Sequence, residues 1–230
     1  MSVVGARLVR RTGNGANGMG SGTDSGTDLV VGGAVGADAV GALAERTARG
    51  EAVKLLHFWG HKPRRDGTLG ASCFSQWWPA PFTVDGVEYA TAEHWMMARK
   101  ARLFGDEEAE HRAVTAANPA LAKRAGRLVR GFEESVWERE RYGIVVAGSV
   151  HKFGQDAALR TFLLATGDRI LIEASPMDRI WGIGLASDDE RAHDPARWRG
   201  LNLLGFALME ARERLRDGAG GAGAHALSSK

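Results

Sequence analysis

The chain has 230 residues, 44% of them hydrophobic and 25% charged, which indicates a globular protein. A net charge of +2, with both signs interspersed, gives no argument for a protein that binds nucleic acid through its charge. The single cysteine, Cys73, excludes an internal disulfide and is typical of a reducing compartment.

The first fifty residues predict a flexible leader. The segment Gly13–Asp28 is so rich in glycine and small polar residues that it buries too little apolar surface to offset its ordering entropy. Its start, Gly13–Gly18, matches a dinucleotide-binding fingerprint, which we reject because no helix follows it. Residues 40–49 predict a short helix. No signal peptide or membrane span is indicated, so we expect a cytoplasmic protein.

Residues 51–216 predict a single helix-rich α+β domain with a few short strands, and residues 217–230 predict a disordered tail. An apolar run at 53–59 indicates a strand. A hairpin follows at 82–89, where Asp85-Gly86 suits a tight type I′ turn.

Helices dominate the rest of the domain. Their N-caps are predicted at Thr91, Asp106, Asn118 and Asp156, with Pro119 at a first helical position. The other predicted elements are a helix over 137–153, a strand at 169–174, an irregular segment at 175–200 and an amphipathic helix at 201–216.

His57 and His61 lie four residues apart, with Cys73 further along the chain, and together they raise the question of a metal site. Gly60 and Pro63 prevent the two imidazoles from sharing one helix face, and no fourth ligand has suitable spacing. We therefore predict no metal site.

Glu93 falls in the first turn of the helix that Thr91 caps. There the helix dipole and the free amide groups are expected to hold its carboxyl anionic. Acidic residues are common at helix starts, so the position alone carries little weight. The aromatic segment Phe74–Trp78 just upstream adds to it, because aromatic side chains in a loop either pack or bind a planar group.

Two later segments also contain candidate site residues. In Glu173–Gly184, Asp178 and Trp181 accompany glycines that would let the backbone approach a ligand; the alternative is a tight turn packed by one tryptophan. In Trp198–Gly205, Asn202 could cap the last helix or bind a ligand.

These segments, taken in order, resemble the NADAR (YbiA-like) family. The matching elements are Phe74-Ser-Gln-Trp77, Asp85-Gly86 to Glu93-His94-Trp95, Lys152-Phe153, Glu173 to Gly184, and Gly200-Leu-Asn202 to Arg212. They cover almost the whole predicted domain. Gln76-Trp77 replaces the commoner Asn-Phe, and Trp95 replaces Tyr or Phe, which keeps the aromatic character at both places.

The resemblance implies an N-glycosidase that acts on a ribosyl phosphate, either an aminopyrimidine intermediate of the riboflavin pathway or ADP-ribosylated guanine. Glu93 would stabilise the positive charge that develops on the sugar or activate water, and Asp178 would be the second carboxylate. The candidates for substrate binding are Ser75, Trp77, His94, Lys100, Trp137, Lys152, Trp181, Gly182 and Asn202. Arg99, Lys100 and Lys152 are the candidates for the phosphate.

No metal or organic cofactor is expected for this hydrolysis. The expected partner is a small nucleotide-like molecule, or ADP-ribosylated nucleic acid if guanine is the base, and no membrane. The alternative function is a non-catalytic module that binds ADP-ribose or another nucleotide, since it would need the same aromatic pocket but not the carboxylate chemistry of Glu93. The sequence leaves the oligomeric state open.

Overall fold

A computed structural model describes the backbone of residues 35–225 and the side chains of residues 36–218. The predicted leader up to residue 34, including Gly13–Gly18, and the last five residues of the predicted tail lie outside this range. Within it, the helices are α1 (Val35–Ala48), α2 (Ala92–Leu103), α3 (Glu107–Val114), α4 (Pro119–Arg127), α5 (Glu134–Gln155), α6 (Ala157–Leu164) and α7 (Leu203–His225). The strands are β1 (Leu55–Phe58), β2 (Phe82–Val84), β3 (Val87–Tyr89) and β4 (Ile170–Glu173).

The strands form two separate two-stranded sheets. β1 and β4 pair in parallel, from Leu55 opposite Ile170 to Phe58 opposite Glu173. Parallel pairing requires a crossover connection, and here the crossover carries α2 to α6. β2 and β3 form the predicted hairpin, and the positive φ angles of Asp85 (50°) and Gly86 (79°) confirm the type I′ turn. The helix-rich α+β class is therefore confirmed.

The helix starts follow the side-chain chemistry of their caps. Each of the four predicted N-cap side chains accepts a hydrogen bond from the backbone N–H three residues on, as confirmed at Thr91, Asp106, Asn118 and Asp156. Each bond satisfies one of the amide groups that a helix start leaves free.

Helix α2 runs through the main core, and its first seven residues, 92–98, are all buried. Two glycines bring neighbouring helices close to it. A Cβ at Gly126 of α4 would collide with the Met97 side chain, and a Cβ at Gly148 of α5 would collide with the Trp95 ring. The Trp95 indole also donates a hydrogen bond to the Ile144 carbonyl of α5 at 2.8 Å. The start of α2 is consequently held between α4 and α5.

The two terminal helices differ from the predicted boundaries. α1 begins at Val35 rather than residue 40, and its Gly36 packs directly on Leu201 and Leu203. α7 continues to His225, nine residues beyond the predicted end at 216. Among the described helices, none combines the length and the apolar composition that crossing a membrane requires.

Candidate active site

Glu93 lies in the first turn of α2 and is 2% exposed. Its backbone N–H donates to the Gln76 carbonyl at 3.0 Å, while its side-chain Oε1 is buried with no hydrogen-bond partner among the described residues. Burial raises the pKa of this carboxyl to about 7, against the opposing effects of Lys123 and the Trp77 side chain. The sequence predicts that the helix start favours the charged form of Glu93; burial acts in the opposite direction and has the larger effect on the pKa, because lost hydration outweighs the helix dipole.

Glu173 is a second carboxyl of the site, a half-buried residue at the carboxyl end of β4. Its Oε2 atom is buried and, like Oε1 of Glu93, has no hydrogen-bond partner in the described part of the chain. Burial, followed by the negative charge of Asp178, raises its pKa to about 8. The sequence interpretation passed over Glu173, although the end of a parallel strand is a common place for a functional side chain.

Glu93 lies close enough to Glu173 to affect its pKa. The charge of Glu93 contributes to the raised pKa of Glu173, Asp178 raises the pKa of both, and Lys123 lowers both. Two neighbouring buried carboxyls cannot both ionise cheaply, so they titrate as a pair. The raised pKa values bring the ionisation of both carboxyls into the range around neutral pH, where a carboxyl can act as an acid or a base.

Asp178 is the half-buried carboxylate that the sequence predicted beside Glu93. Its Oδ1 accepts hydrogen bonds from the backbone N–H groups of Ile180 (2.9 Å) and Trp181 (2.8 Å). These bonds fix the loop that follows β4 and place the Asp178 charge where it acts on both glutamates. Asp178 therefore lies close enough to Glu93 and to Glu173 to affect the pKa of both, and its catalytic role stays a prediction.

Two basic side chains of α4 act on this site. Lys123 is half-buried and Arg127, one turn later, is exposed; both lower the pKa of Glu93. The Lys123 Nζ atom lies 6.0 Å from the centre of the Trp77 ring, and the His61 ring lies 5.5 Å from the same ring. Neither α4 cation was predicted from the sequence, because a basic residue on a helix is usually solvated.

A family model described as NADAR domain matches residues 57–216. The chain belongs to the NADAR family. The N-glycosidase R617 of Acanthamoeba polyphaga mimivirus is 40% identical over 168 residues, which are 71% of this chain and 97% of that protein. The N-glycosidase YbiA of Escherichia coli is 33% identical over 144 residues, which are 63% of this chain and 79% of that protein.

A solved NADAR structure shares the fold. The NMR structure of the Escherichia coli protein YbiA matches this chain with a TM-score of 0.57 and 28% sequence identity, over 73% of this chain and 89% of that one. The family resemblance that the motif order predicts is thus confirmed.

Lys152 bonds to the backbone of the aromatic loop, which comprises Phe74–Trp78 and the adjoining Cys73. It is 1% exposed, and its Nζ donates to the carbonyls of Cys73 (2.6 Å) and Ser75 (2.8 Å). Burial lowers the pKa of its amine to about 7. The predicted pairing of Lys152 with the substrate phosphate finds no support in this geometry, since the amine is fully buried and engaged with backbone; the contacts fit a residue that positions the loop.

Two hydrogen bonds fix the loop that precedes the hairpin and join it to the start of α2. The Ser75 hydroxyl accepts a hydrogen bond from the Trp77 N–H at 3.1 Å, which fixes the turn. The Gln76 carbonyl caps α2 at Glu93, and its side-chain Nε2 is buried with no partner among the described residues. Gln76 is thus a third residue with a buried side-chain atom that has no partner among the described residues, and its backbone is bonded to that of Glu93. The sequence interpretation did not single out its side chain.

His94 sits beside Glu93 in sequence but is committed to the fold. One ring nitrogen lies 2.8 Å from the Thr91 hydroxyl and the other 3.0 Å from the Ala116 carbonyl. A carbonyl only accepts, so Nε2 carries the proton and Nδ1 accepts from Thr91. Both nitrogens of this predicted substrate contact are therefore used to join the start of α2 to the end of α3.

Lys100 and Trp137 meet each other rather than Glu93. The Lys100 Nζ atom lies 3.9 Å from the centre of the Phe132 ring and 5.3 Å from that of Trp137. Lys100 follows Glu93 by seven residues, which places it roughly 10 Å further along α2. The structure groups these two predicted contacts in a separate cation–π cluster.

Trp181 and Gly182 hold the loop after β4 in place. The Trp181 side chain packs against the main core. A Cβ at Gly182 would lie 2.8 Å from the Glu173 carbonyl oxygen, so this glycine allows the loop to approach its own strand. The glycine serves close backbone packing here, while the flanking Trp181 remains half-buried.

Asn202 joins β4 to the start of α7. Its Oδ1 accepts from the Glu173 N–H at 3.0 Å, its Nδ2 donates to the Leu171 carbonyl at 2.9 Å, and its φ is 51°. Each of the two polar side-chain atoms has a partner in β4, so the side chain does not cap α7, whose Phe206 N–H bonds to the backbone carbonyl of Asn202 instead. It determines the position of Glu173 through the backbone.

We expect Asn202→Ala to lower the free energy of unfolding by about 3 kcal/mol, because two buried backbone groups lose their partners. Asn118→Ala, which removes only an exposed N-cap, provides the matched control with an expected loss of about 1 kcal/mol. Urea unfolding of both variants measures the difference. Equal losses would contradict the bridging role.

The three residues weighed as metal ligands have other contacts. The His57 Nε2 atom lies 3.2 Å from the Ala192 carbonyl, His61 packs beside Trp77, and Cys73 is buried in the core. In residues 36–218, no group of three or more His, Cys, Asp or Glu side chains is arranged to hold a metal ion.

Proposed function

We propose that this protein hydrolyses the N-glycosidic bond of a ribosyl phosphate, with a riboflavin-pathway aminopyrimidine or ADP-ribosylated guanine as the leaving base. As a NADAR protein related to named N-glycosidases, the chain is a hydrolase of N-glycosyl bonds. The observation that carries the finer proposal is the buried pair of Glu93 and Glu173, each with a side-chain oxygen that has no protein partner in the described range.

Cleavage of an N-glycosidic bond makes two demands on the protein. The bond from C1′ to the base nitrogen breaks with its electron pair on the base, which needs a proton. The sugar meanwhile develops an oxocarbenium-like positive charge, which a nearby carboxylate stabilises. One protonated and one ionised carboxyl meet both demands.

The pKa order of the pair suggests the roles. Glu173, with the higher pKa, keeps the proton near neutral pH and gives it to the departing base. Glu93, with the lower pKa, supplies the negative charge beside C1′ and takes a proton from the water that attacks there. After release, passage of a proton from Glu93 back to Glu173 restores the starting state. Asp178 orients its loop and keeps the pKa of both glutamates raised.

The aromatic loop is the proposed place for the base. The half-buried Trp77 ring lies next to Lys123 and approaches the Glu93 carboxyl, so a planar base stacked there would have its glycosidic bond near the carboxyl pair. Gln76 Nε2, buried without a partner, is a hydrogen-bond donor for the edge of that base.

The alternative, a module that binds ADP-ribose without cleaving it, has less support. Binding alone gives no reason to bury two carboxyls beside a third negative charge, since anions repel the phosphates of a nucleotide. Such a costly arrangement is typical of a site that moves protons.

The test is to incubate the purified protein separately with a ribosylated aminopyrimidine phosphate and with DNA carrying ADP-ribosylated guanine. Mass spectrometry then measures the released base and the released sugar phosphate. We expect release from one of the two. If both substrates bind and neither is cleaved, the binding module replaces the hydrolase.

A further inference from the structure

Two cations on one face of α4 act on the pKa of Glu93, but the proposed hydrolysis assigns them no contact with the substrate. Lys123 and Arg127 are four residues apart, so their side chains project from the same side of the helix. Other arginines nearby are paired: Arg112 with Glu108, and Arg130 with Asp106. Among the described residues, Lys123 and Arg127 have no acidic partner within 4.0 Å.

The position of α4 against the site is set by close packing. Gly126, next to Arg127, lies so near the Met97 side chain that a Cβ there would collide with it. Met97 lies one helical turn after Glu93 on α2. The cations are thereby held beside the start of α2 by a tight helix contact.

Lys123 is the inner of the two cations and Arg127 the outer one. The Lys123 Nζ atom lies 6.0 Å from the Trp77 ring centre, and Trp77 belongs to the loop whose Gln76 carbonyl caps α2 at Glu93. Lys123 is half-buried, whereas Arg127 is exposed. Arg127 therefore lies at the surface, and Lys123 lies between it and the aromatic loop.

We propose that Lys123 and Arg127 form an anion subsite that binds the phosphate of the substrate while its base lies on Trp77. This inference rests on the proposed function for the identity of the anion. A phosphate placed here faces two unpaired cations, and Arg127 offers a planar pair of donors that suits phosphate oxygens. Placement on the outer side also keeps the phosphate away from Glu93, Glu173 and Asp178.

The subsite replaces the phosphate contacts that the sequence favoured. Lys152 is wholly engaged with backbone carbonyls, and Lys100 lies over the Phe132 ring in a separate cluster. Of the cations near the carboxyl pair, Lys123 exerts the largest effect on both glutamates.

Calorimetric titration with ribose 5-phosphate, with ADP-ribose and with plain ribose tests the subsite without requiring turnover. We expect Lys123→Met and Arg127→Met each to weaken ribose 5-phosphate binding about tenfold, and the double variant more strongly, with little change for ribose. Arg124→Met is the matched control: Arg124 is exposed on a neighbouring face of α4 and should bind like the unaltered protein.

The two phosphate sources separate in the same titrations. Weakened binding of both phosphorylated probes supports a subsite for a single phosphate, and weakened binding of ADP-ribose alone supports one for a pyrophosphate. The subsite is overturned if both Met variants bind like the Arg124→Met control, or if neither phosphorylated probe binds the unaltered protein at millimolar concentration.

Failure of this inference is distinguishable from failure of the proposed hydrolysis. Base release by the unaltered protein, with phosphate binding unaffected in both Met variants, would leave the hydrolase standing and remove the subsite. Phosphate binding lost in those variants, with no base released from either substrate, would leave the subsite standing and remove the hydrolase.

Discussion

Glu93→Gln is expected to reduce base release at least about 100-fold while leaving substrate affinity within a few-fold of the unaltered protein. The amide keeps the size of the side chain but removes the only charge that the proposal places beside C1′. Glu93 Oε1 has no partner among the described residues, and an amide oxygen can still accept the hydrogen bond from the Trp77 side chain, so the change should not unfold the domain. Single-turnover kinetics and calorimetric binding measure the two quantities separately.

The matched control is Glu88→Gln, an identical chemical change at an exposed residue of β3. Its turnover should equal that of the unaltered protein. If Glu93→Gln also retains full turnover, Glu93 has no part in the chemical step.

Glu173→Gln is expected to have the second largest effect, and its pH profile is more informative than its rate. In the unaltered protein, turnover should rise as Glu93 ionises around pH 7 and fall as Glu173 loses its proton around pH 8. The maximum therefore lies between these values, which belong to the coupled pair. Glu173→Gln should lower turnover about 100-fold and abolish the alkaline limb, because no proton donor remains to titrate.

Two further readouts separate an acid from a merely structural residue at position 173. A substrate whose base leaves readily without a proton should lose much less activity in Glu173→Gln than an ordinary substrate. The acidic limb should stay where it is in the unaltered protein, because Glu173 is protonated and uncharged over the range in which Glu93 ionises. An unchanged alkaline limb would contradict the assignment.

Stability provides an independent check on Glu173. Its folded-state pKa of about 8 lies above the ordinary glutamate value of 4.5. A carboxyl with a raised folded pKa contributes stability below its unfolded pKa, and this is lost as the pH rises through the folded pKa. As the pH rises from about 4.5 to 8, the unaltered protein should therefore lose free energy of unfolding relative to Glu173→Gln. Urea unfolding at several pH values measures this trend.

Local features of the fold were readable from the sequence because their causes lie within a few residues. The Asp85-Gly86 turn depends on which residues tolerate positive φ, and the caps at Thr91, Asp106 and Asn118 depend on one side chain reaching an amide three residues on. The order of motifs also identified the family. The end of α7 was placed too early because the glycines after residue 217 disfavour a helix locally.

The residues of the site also fall into those that the sequence indicates and those that only the structure reveals. The sequence by itself determined the candidates Glu93 and Asp178 and the aromatic loop, since each stands in a recognisable motif. Only the tertiary structure decided that Glu173 joins them, that Lys123 and Arg127 face them, and that Lys152, His94 and Asn202 serve the fold. The physical reason is that a pKa or a free hydrogen-bonding atom depends on burial and on charges from distant parts of the chain. Glu93 thus changed from a lone carboxylate expected at a helix start into one of two neighbouring glutamates whose pKa values are raised by burial.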